Sequence, residues 1–392
     1  MKLLHVIGSM NPHTGGPCQT IRNFAPPFIA HGNEVEVVCL DDPGSDFLAA
    51  DKFRIHALGQ GRGAWNFHPA LLPWLNTHLK DYDAVILNGL WQYQGYALWK
   101  AAQQNQSSYY IYPHGMLDPW FQKLSVRPLK SIRNWVVWKL FQHRVVSHAS
   151  ALLFTCEEER RLAAEPFRPY APKHEAVVGL GVPEPPAYDP AMKSAFAEKC
   201  PGLNEQNYFL FLGRIHEKKG VDALITAYAT LGKTNGHSTL PKLVIAGPGL
   251  ETDYGRKMQK LAAETCPVGS VFWPGMLSGH AKWGALYHCD ASVLPSHQEN
   301  FGISVVETLA CGRPVLISDQ VNIWREIKDA GAALVQPDTI AGTTQLLAEW
   351  VRITPEARAR MAANAKPCFE SFFSIESATH KLVATIHSTT KS

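Results

Sequence analysis

Paired cysteines are what this 392-residue chain most plainly lacks. Its eight cysteines stand singly and no Cys-x-x-Cys occurs. Such spacing gives neither a disulfide framework nor a zinc site, so reduced core thiols and a cytosolic setting are expected. No apolar run is long enough to cross a bilayer, and the opening apolar run is too short for a signal peptide. Charge of one sign is missing too: 37 Lys and Arg against 34 Asp and Glu leave +3. Nothing global therefore calls for nucleic acid, and any anionic substrate or membrane surface is left to local patches. Repeats and low-complexity tracts are absent, and no G-x-G-x-x-G follows the first apolar run, which speaks against a dinucleotide-dependent dehydrogenase. With 46% hydrophobic and 18% charged residues the chain is expected to be well packed, and its length exceeds one ordinary core.

What is present is a twofold alternation of apolar runs and helical patterns, the mark of parallel α/β layers. Strands are expected over 3–8, 34–40, 84–87, 109–112 and 151–155, then over 208–212, 242–246, 271–273, 291–295 and 314–317. Between the two sets VPEPPAYDPAMK, residues 182–193, carries four prolines and reads as a linker. Two Rossmann-like domains follow, 1–182 and 183–370.

The most informative stretch is PSHQENFGISVVETLACGRPVLIS, residues 295–318. ASVLPS reads as a buried strand and SVVETLA as a helix closed by Gly312, with Pro314 just beyond. Glu299 then sits in the strand-to-helix loop and Glu307 a turn or two into the helix. The first-turn N–H groups at Gly302 to Ser304 have no intrahelical partner and form an anion site. Each carboxylate accepts from two hydroxyls at once. Two hydroxyl-binding groups around one phosphate site fit a sugar nucleotide. A second segment, YFLFLGRIHEKKGVDALITAY, puts Arg214 at a strand end and Lys218 and Lys219 at a helix start; with Lys218 read as facing solvent, two cations stand where a diphosphate would lie.

This arrangement resembles the signature of the family 4 retaining glycosyltransferases, which have the GT-B fold. The resemblance implies that Glu299 binds donor-sugar hydroxyls and Glu307 the nucleotide ribose, with Phe301, Gly302, Ile303 and Ser304 around the donor. The family pattern G-R-x(4)-K-G is matched by Gly213, Arg214, Lys219 and Gly220, whose arginine and lysine hold the diphosphate without a metal. It further implies a donor-facing glycine loop at Gly15 and Gly16 and an active-site histidine at His114. Asp118 and Trp120 then fall on the acceptor side, and the nucleobase lies beside Phe272, Trp273, Pro274 and Gly275. Core packing of the two aromatics explains that last stretch equally well. Residues from about 371 to 392 are expected to return to the first domain. After PVLISD the family often carries a glycine and an acidic residue; here the run is QVNIWREI, which leaves the sugar open.

The implied reaction is metal-independent transfer of a sugar from a UDP, GDP, ADP or dTDP donor to a hydroxyl, with retention. The acceptor would be a saccharide or lipid-linked saccharide, as in bacterial surface or extracellular polysaccharide or glycolipid assembly. No cofactor is expected, and Asp81-Tyr82-Asp83 precedes a strand, at the end away from the ligand crevice, so no metal is assigned to it. A sugar-nucleotide epimerase of the same fold and a catalytically silent sugar-nucleotide-binding protein are the rival readings. Residues 123–149 interleave Lys130, Arg133, Lys139 and Arg144 with Trp135, Trp138 and Phe141. A surface helix on anionic lipid and a helix packed on its own sheet both account for that pattern.

Overall fold

The computed structural model describes residues 1–14, 16–122, 128–235 and 240–390. The chain divides into two units, Met1–Pro183 with Ile375–Ser392, and Glu184–Ser374.

The first unit holds seven strands: β1 Lys2–Val6, β2 Glu34–Cys39, β3 Arg54–Ala57, β4 Ala84–Asn88, β5 Tyr109–Tyr112, β6 Ala151–Phe154 and β7 Glu175–Val177. All pair in parallel, in the order β3-β2-β1-β4-β5-β6-β7. Their inner residues are apolar on both faces because helices cover both sides of a parallel sheet. Leu4, Leu87 and Ile111 face one helical layer and Leu3, Ile86 and Tyr110 the other. That second layer includes the last helix, Ile375–Thr390, which packs Leu382 and Ile386 beside Phe24 and Phe28. The Tyr110 hydroxyl lies 2.8 Å from Thr389 Oγ1, tying the helix to the middle of the sheet.

The second unit repeats the plan with β8 Tyr208–Leu212, β9 Lys242–Ala246, β10 Val271–Gly275, β11 Ala291–Leu294, β12 Val315–Ser318 and β13 Ala333–Gln336, in the order β10-β9-β8-β11-β12-β13. These pairs too are parallel. Three strands, β3, β7 and β13, go beyond the sequence expectation. All are sheet edges with half-exposed residues, so their runs RIHA, EAV and ALVQ lack the apolar continuity of the inner strands. β10, the remaining edge of the second sheet, extends to Gly275, and Pro274 is tolerated there because an edge strand has one unpaired side.

In each sheet the chain runs outward from its first strand and then restarts on that strand's other side, between β1 and β4 and between β8 and β11. Open parallel sheets bind ligands beyond the carboxyl ends of the strands at such a switch. All eight thiols are free, and all but Cys266 are buried. Among the described residues no helix is long and apolar enough to cross a membrane.

Candidate functional site

In the second unit the switch point gathers the two motif segments. After β8 come Gly213 and Arg214, a turn of 3-10 helix at Glu217–Lys219, and the helix Val221–Asn235. After β11 comes the loop bearing Glu299 and then the helix Ile303–Ala310. Because β8 and β11 are neighbours, loops 80 residues apart meet, and the Lys219 ammonium bonds a Glu299 carboxylate oxygen. The His297 N–H donates to the Lys218 carbonyl at 2.9 Å, a second stitch between the loops.

Gly220 makes that approach possible. Its φ is +66°, and a Cβ there would stand 2.1 Å from the Pro295 carbonyl oxygen, so a side chain would drive the loops apart. On the other side, the Glu299 N–H donates to the Gln320 carbonyl and the Asn322 N–H to the Glu299 carbonyl, both at 2.9 Å. The residues Gln320 to Asn322 therefore clamp the Glu299 backbone, with Val321 and Ile323 fully buried beneath. That is the role of the run QVNIWREI, which departs from the family pattern: it is a support for the glutamate loop.

Gly302 caps the helix Ile303–Ala310 with φ +77°, and the Val305 N–H is the first to bond back, to the Gly302 carbonyl at 2.9 Å. The core-facing residues Val305, Val306, Leu309 and Ala310 leave Ile303, Ser304 and Glu307 on the half-buried side. Phe301 takes its side chain into the core, edge-on to Phe373 at 5.8 Å, so only its backbone belongs to the loop. Burial, above all, raises the Glu307 carboxyl, and Lys282 opposes this with a 2.6 Å hydrogen bond to Glu307 Oε1. Burial first, then the charges of Lys218 and Arg214, lower the Lys219 ammonium to about 8, while the bond to Glu299 works the other way.

The first unit has its own cluster at its switch point. His5 lies in β1, Asn88 ends β4 and His114 follows β5. Asn88 Nδ2 donates to the Ile86 carbonyl at 3.2 Å and to His5 Nδ1 at 3.1 Å, so its Oδ1 is the atom 3.2 Å from His114 Nε2. His114 Nε2 must then carry the proton, and Nδ1 keeps its lone pair as a hydrogen-bond acceptor. Burial, with His5 nearby, lowers His114 to about 3, and burial lowers His5 to about 4. Both rings are neutral near pH 7.

His114 has φ +51°, the left-handed region, at a cost of roughly 1–3 kcal/mol for a residue with a side chain. The imidazole stacks on Tyr112, with centroids 5.2 Å apart. Glu159, 3% exposed, accepts the Gly115 N–H at 2.5 Å and both the N–H and hydroxyl of Thr155 at 2.7 and 2.6 Å, holding the loop in place. Asp118 caps its own turn by accepting the Trp120 N–H at 2.8 Å, so its carboxylate is engaged in shaping the loop. Gly16 opens the helix Gly16–Ala30, while Gly15 lies outside the described residues, as do residues 123–127. Asp41 holds the loop after β1, accepting from Ser9 Oγ at 2.6 Å and from the Met10 N–H at 2.7 Å.

Residues 195–367 match the sequence profile of the glycosyl transferases group 1, and residues 15–181 that of the glycosyl transferase 4-like domain. The second half of the chain thus belongs to the group 1 glycosyltransferases and the first half to the glycosyl transferase 4-like domains. It is 29% identical over 229 residues to D-inositol 3-phosphate glycosyltransferase of Stackebrandtia nassauensis, covering 57% of this chain and 51% of that one. It is 27% identical over 338 residues to alpha-D-kanosaminyltransferase of Streptomyces kanamyceticus, covering 84% and 75%. The first of these matches spans about half the relative's length. Among solved structures, HepE of Anabaena with UDP and glucose superposes with TM-score 0.75 at 17% identity over 99% of this chain and all of that one. A glycosyltransferase of Rickettsia africae gives 0.78 at 12% identity over 100% and 98%. The fold is thus GT-B, as the resemblance implied.

Reasoning along the sequence missed Lys282, Asn88, Asp41 and Glu159. Lys282 sits on the helix Gly279–His288 and its ammonium stands 4.4 Å from the Trp283 ring centroid. Nothing in a lysine on such a helix announces a partner 25 residues away. Phe272 packs against the core cluster of Phe196 and Leu210, and Pro274 and Gly275 end the edge strand. Asp83, of the D-x-D, accepts the Lys2 N–H at 2.7 Å, on the amino-terminal side of the strands.

Proposed function

We propose that this glycosyltransferase moves a sugar from a nucleoside diphosphate sugar to a hydroxyl acceptor, with retention and without a metal. The observation that carries the reading is the junction of Lys219 and Glu299 beside the N-terminus of the helix that bears Glu307. Arg214, Lys219 and the first-turn N–H groups suit the diphosphate, Glu299 the sugar hydroxyls and Glu307 the ribose. The Lys219–Glu299 bond couples these tasks: a phosphate that draws the ammonium away leaves the carboxylate to accept hydroxyls. Departure of the diphosphate builds negative charge, which Lys219 and Arg214 stabilise. The leaving phosphate takes the acceptor's proton on the same face, so no protein nucleophile is needed. His114, neutral, keeps its Nδ1 lone pair free to accept a hydroxyl, the part the family resemblance gives it. The acceptor is a saccharide, free or lipid-linked.

The decisive experiment is calorimetric titration with UDP, GDP, ADP and dTDP in the presence of chelator, followed by the matching nucleotide sugars with both acceptor types. UDP comes first because the Anabaena neighbour was crystallised with it. One diphosphate should bind selectively, and Lys219→Ala should lower turnover more than tenfold. Product with the inverted anomeric proton coupling would overturn retention; near-normal turnover of Lys219→Ala would overturn the site. Conversion of the donor with no acceptor would assign an epimerase.

A further inference from the structure

From residue 119 to residue 156 the chain has no aspartate or glutamate, yet it carries Lys123, Arg127, Lys130, Arg133, Lys139 and Arg144. Within that stretch the helix Pro128–Val137, a π-helical turn Trp138–Gln142 and the helix His143–His148 run end to end. Among their described side chains the buried face is partly polar, and large apolar side chains stand exposed on the other. Ser131, Asn134, Trp138, Gln142 and Val145, spaced at three and four residues, are buried. Three of those five are polar. The opposite face shows Ile132 56% exposed, Trp135 56%, Val136 41% and Leu140 65%.

The orientation is locked from within. Trp138 donates its indole N–H to the Pro169 carbonyl at 3.0 Å and stacks on Phe167 at 4.7 Å, while Phe141 meets Trp65 edge-on at 4.8 Å. Turning Ile132 and Trp135 inward would pull Trp138 out. Packing on its own sheet thus accounts for one face of this segment and leaves an apolar ridge on the other. Other large exposed hydrophobics, such as Phe67, Val268 and Ile340, stand apart from one another in the sequence. The ridge borders a depression of about 260 Å³ lined by Gln122, Ser131, Ile132, Trp135, Pro166 and Phe167. Arg133 and Lys139 flank it, the Lys139 ammonium 5.9 Å from the Trp135 ring centroid.

We propose that this ridge docks on an anionic lipid surface. Ile132, Trp135, Val136 and Leu140 enter the boundary between headgroups and acyl chains, and Arg133 and Lys139 meet the lipid phosphates. Trp135 has the amphipathic ring that favours that depth. Charge selects the occupant. A second copy meeting the ridge through a twofold would set Arg133 and Lys139 against their own copies, with no acid between residues 119 and 156 to offset them. Four side chains also fall far short of the roughly twenty residues a side of a standard protein interface. A lipid bilayer needs only a shallow apolar edge and supplies the negative charge. The inference stands apart from the donor assignment and places the enzyme where a lipid-linked acceptor resides.

The test is sedimentation of the full chain with vesicles of phosphatidylcholine alone, and with vesicles in which about a third of the lipid is phosphatidylglycerol. The protein should bind the anionic vesicles at least tenfold more tightly, and salt should weaken the binding. Trp135→Ser with Leu140→Ser, both at exposed positions, should lower that affinity more than tenfold at unchanged melting temperature. Arg133→Gln and Lys139→Gln should each lower it about fivefold. Equal partitioning into both vesicle types, or unchanged binding by the double variant, overturns the proposal. A dimer in solution that the double variant dissociates would give the ridge to a second copy and overturn it too. Diphosphate binding, measured on the same variants, should be unaffected, so a failure here is distinguishable from failure of the donor site.

Discussion

In the proposed reaction Lys219 carries most of the chemistry, and its protonation would make the site sensitive to pH. Burial and two neighbouring cations lower it to about 8, so it is charged below that value and neutral above. Affinity for a nucleoside diphosphate should therefore hold from pH 6 to 7 and fall as pH rises through about 8. Lys219→Arg should remove that fall, because a guanidinium stays protonated throughout. A flat profile for the native protein would show that another cation carries the phosphate. His114 makes a second prediction at this scale. Imidazole 15N spectra should show its Nε2–H tautomer, neutral from pH 8 down to at least pH 5, since its folded value is about 3. Asn88→Leu should mix the two tautomers, and Asn88→Asp, placing a carboxylate between two histidines, should raise the value. A merely structural Asn88 would leave the tautomer unchanged.

Among elements, the two loops at the carboxyl ends of β8 and β11 behave as one piece, joined by Lys219 to Glu299, by His297 to Lys218 and by the close approach at Gly220. Gly220→Ala places a methyl group against the Pro295 carbonyl and forces a positive φ on alanine. We expect it to lower stability by about 1–3 kcal/mol and to weaken diphosphate binding in the same variant. Loss of stability with intact binding would mean that the loops do not act together. The sequence was most readable at this scale where an element is contiguous. The strand, loop and helix of residues 291–310 and of 208–235 carry their own periodicity, turn residues and motif chemistry. Edge strands β3, β7 and β13 were illegible because a half-exposed strand has no unbroken apolar run to show.

At the scale of the whole molecule, the chain leaves its first unit at Pro183 and returns to it at Ile375. The returning helix completes a core rather than decorating it: Leu382 and Ile386 are 2% and 3% exposed. Removing residues 375–392 uncovers Phe24, Phe28 and Tyr110 and forfeits at least two buried aliphatic side chains, each about 1.5–3 kcal/mol. Scanning calorimetry of that truncation should show the first unit melting about 6–24 °C lower, with the transition of the second unit retained. An unshifted transition would mean that the helix contributes little to that core.

The sequence by itself determined the alternation that makes two parallel sheets, because burial on both faces writes continuous apolar runs into the inner strands. It also placed Arg214, Lys219, Glu299 and Glu307 at strand ends and helix starts, because those positions depend on local turn chemistry. Only the tertiary structure decided their partners. Sheet order brings β8 beside β11 and β1 beside β4, and so joins Lys219 to Glu299 across 80 residues and Asn88 to His5 across 83. It likewise turned the helical segment after residue 130 so that Ser131, Asn134 and Gln142 face inward and Ile132, Trp135, Val136 and Leu140 outward. Pairings of this kind come from strand adjacency and packing, which depend on the whole chain and leave no periodic trace in any single stretch of it.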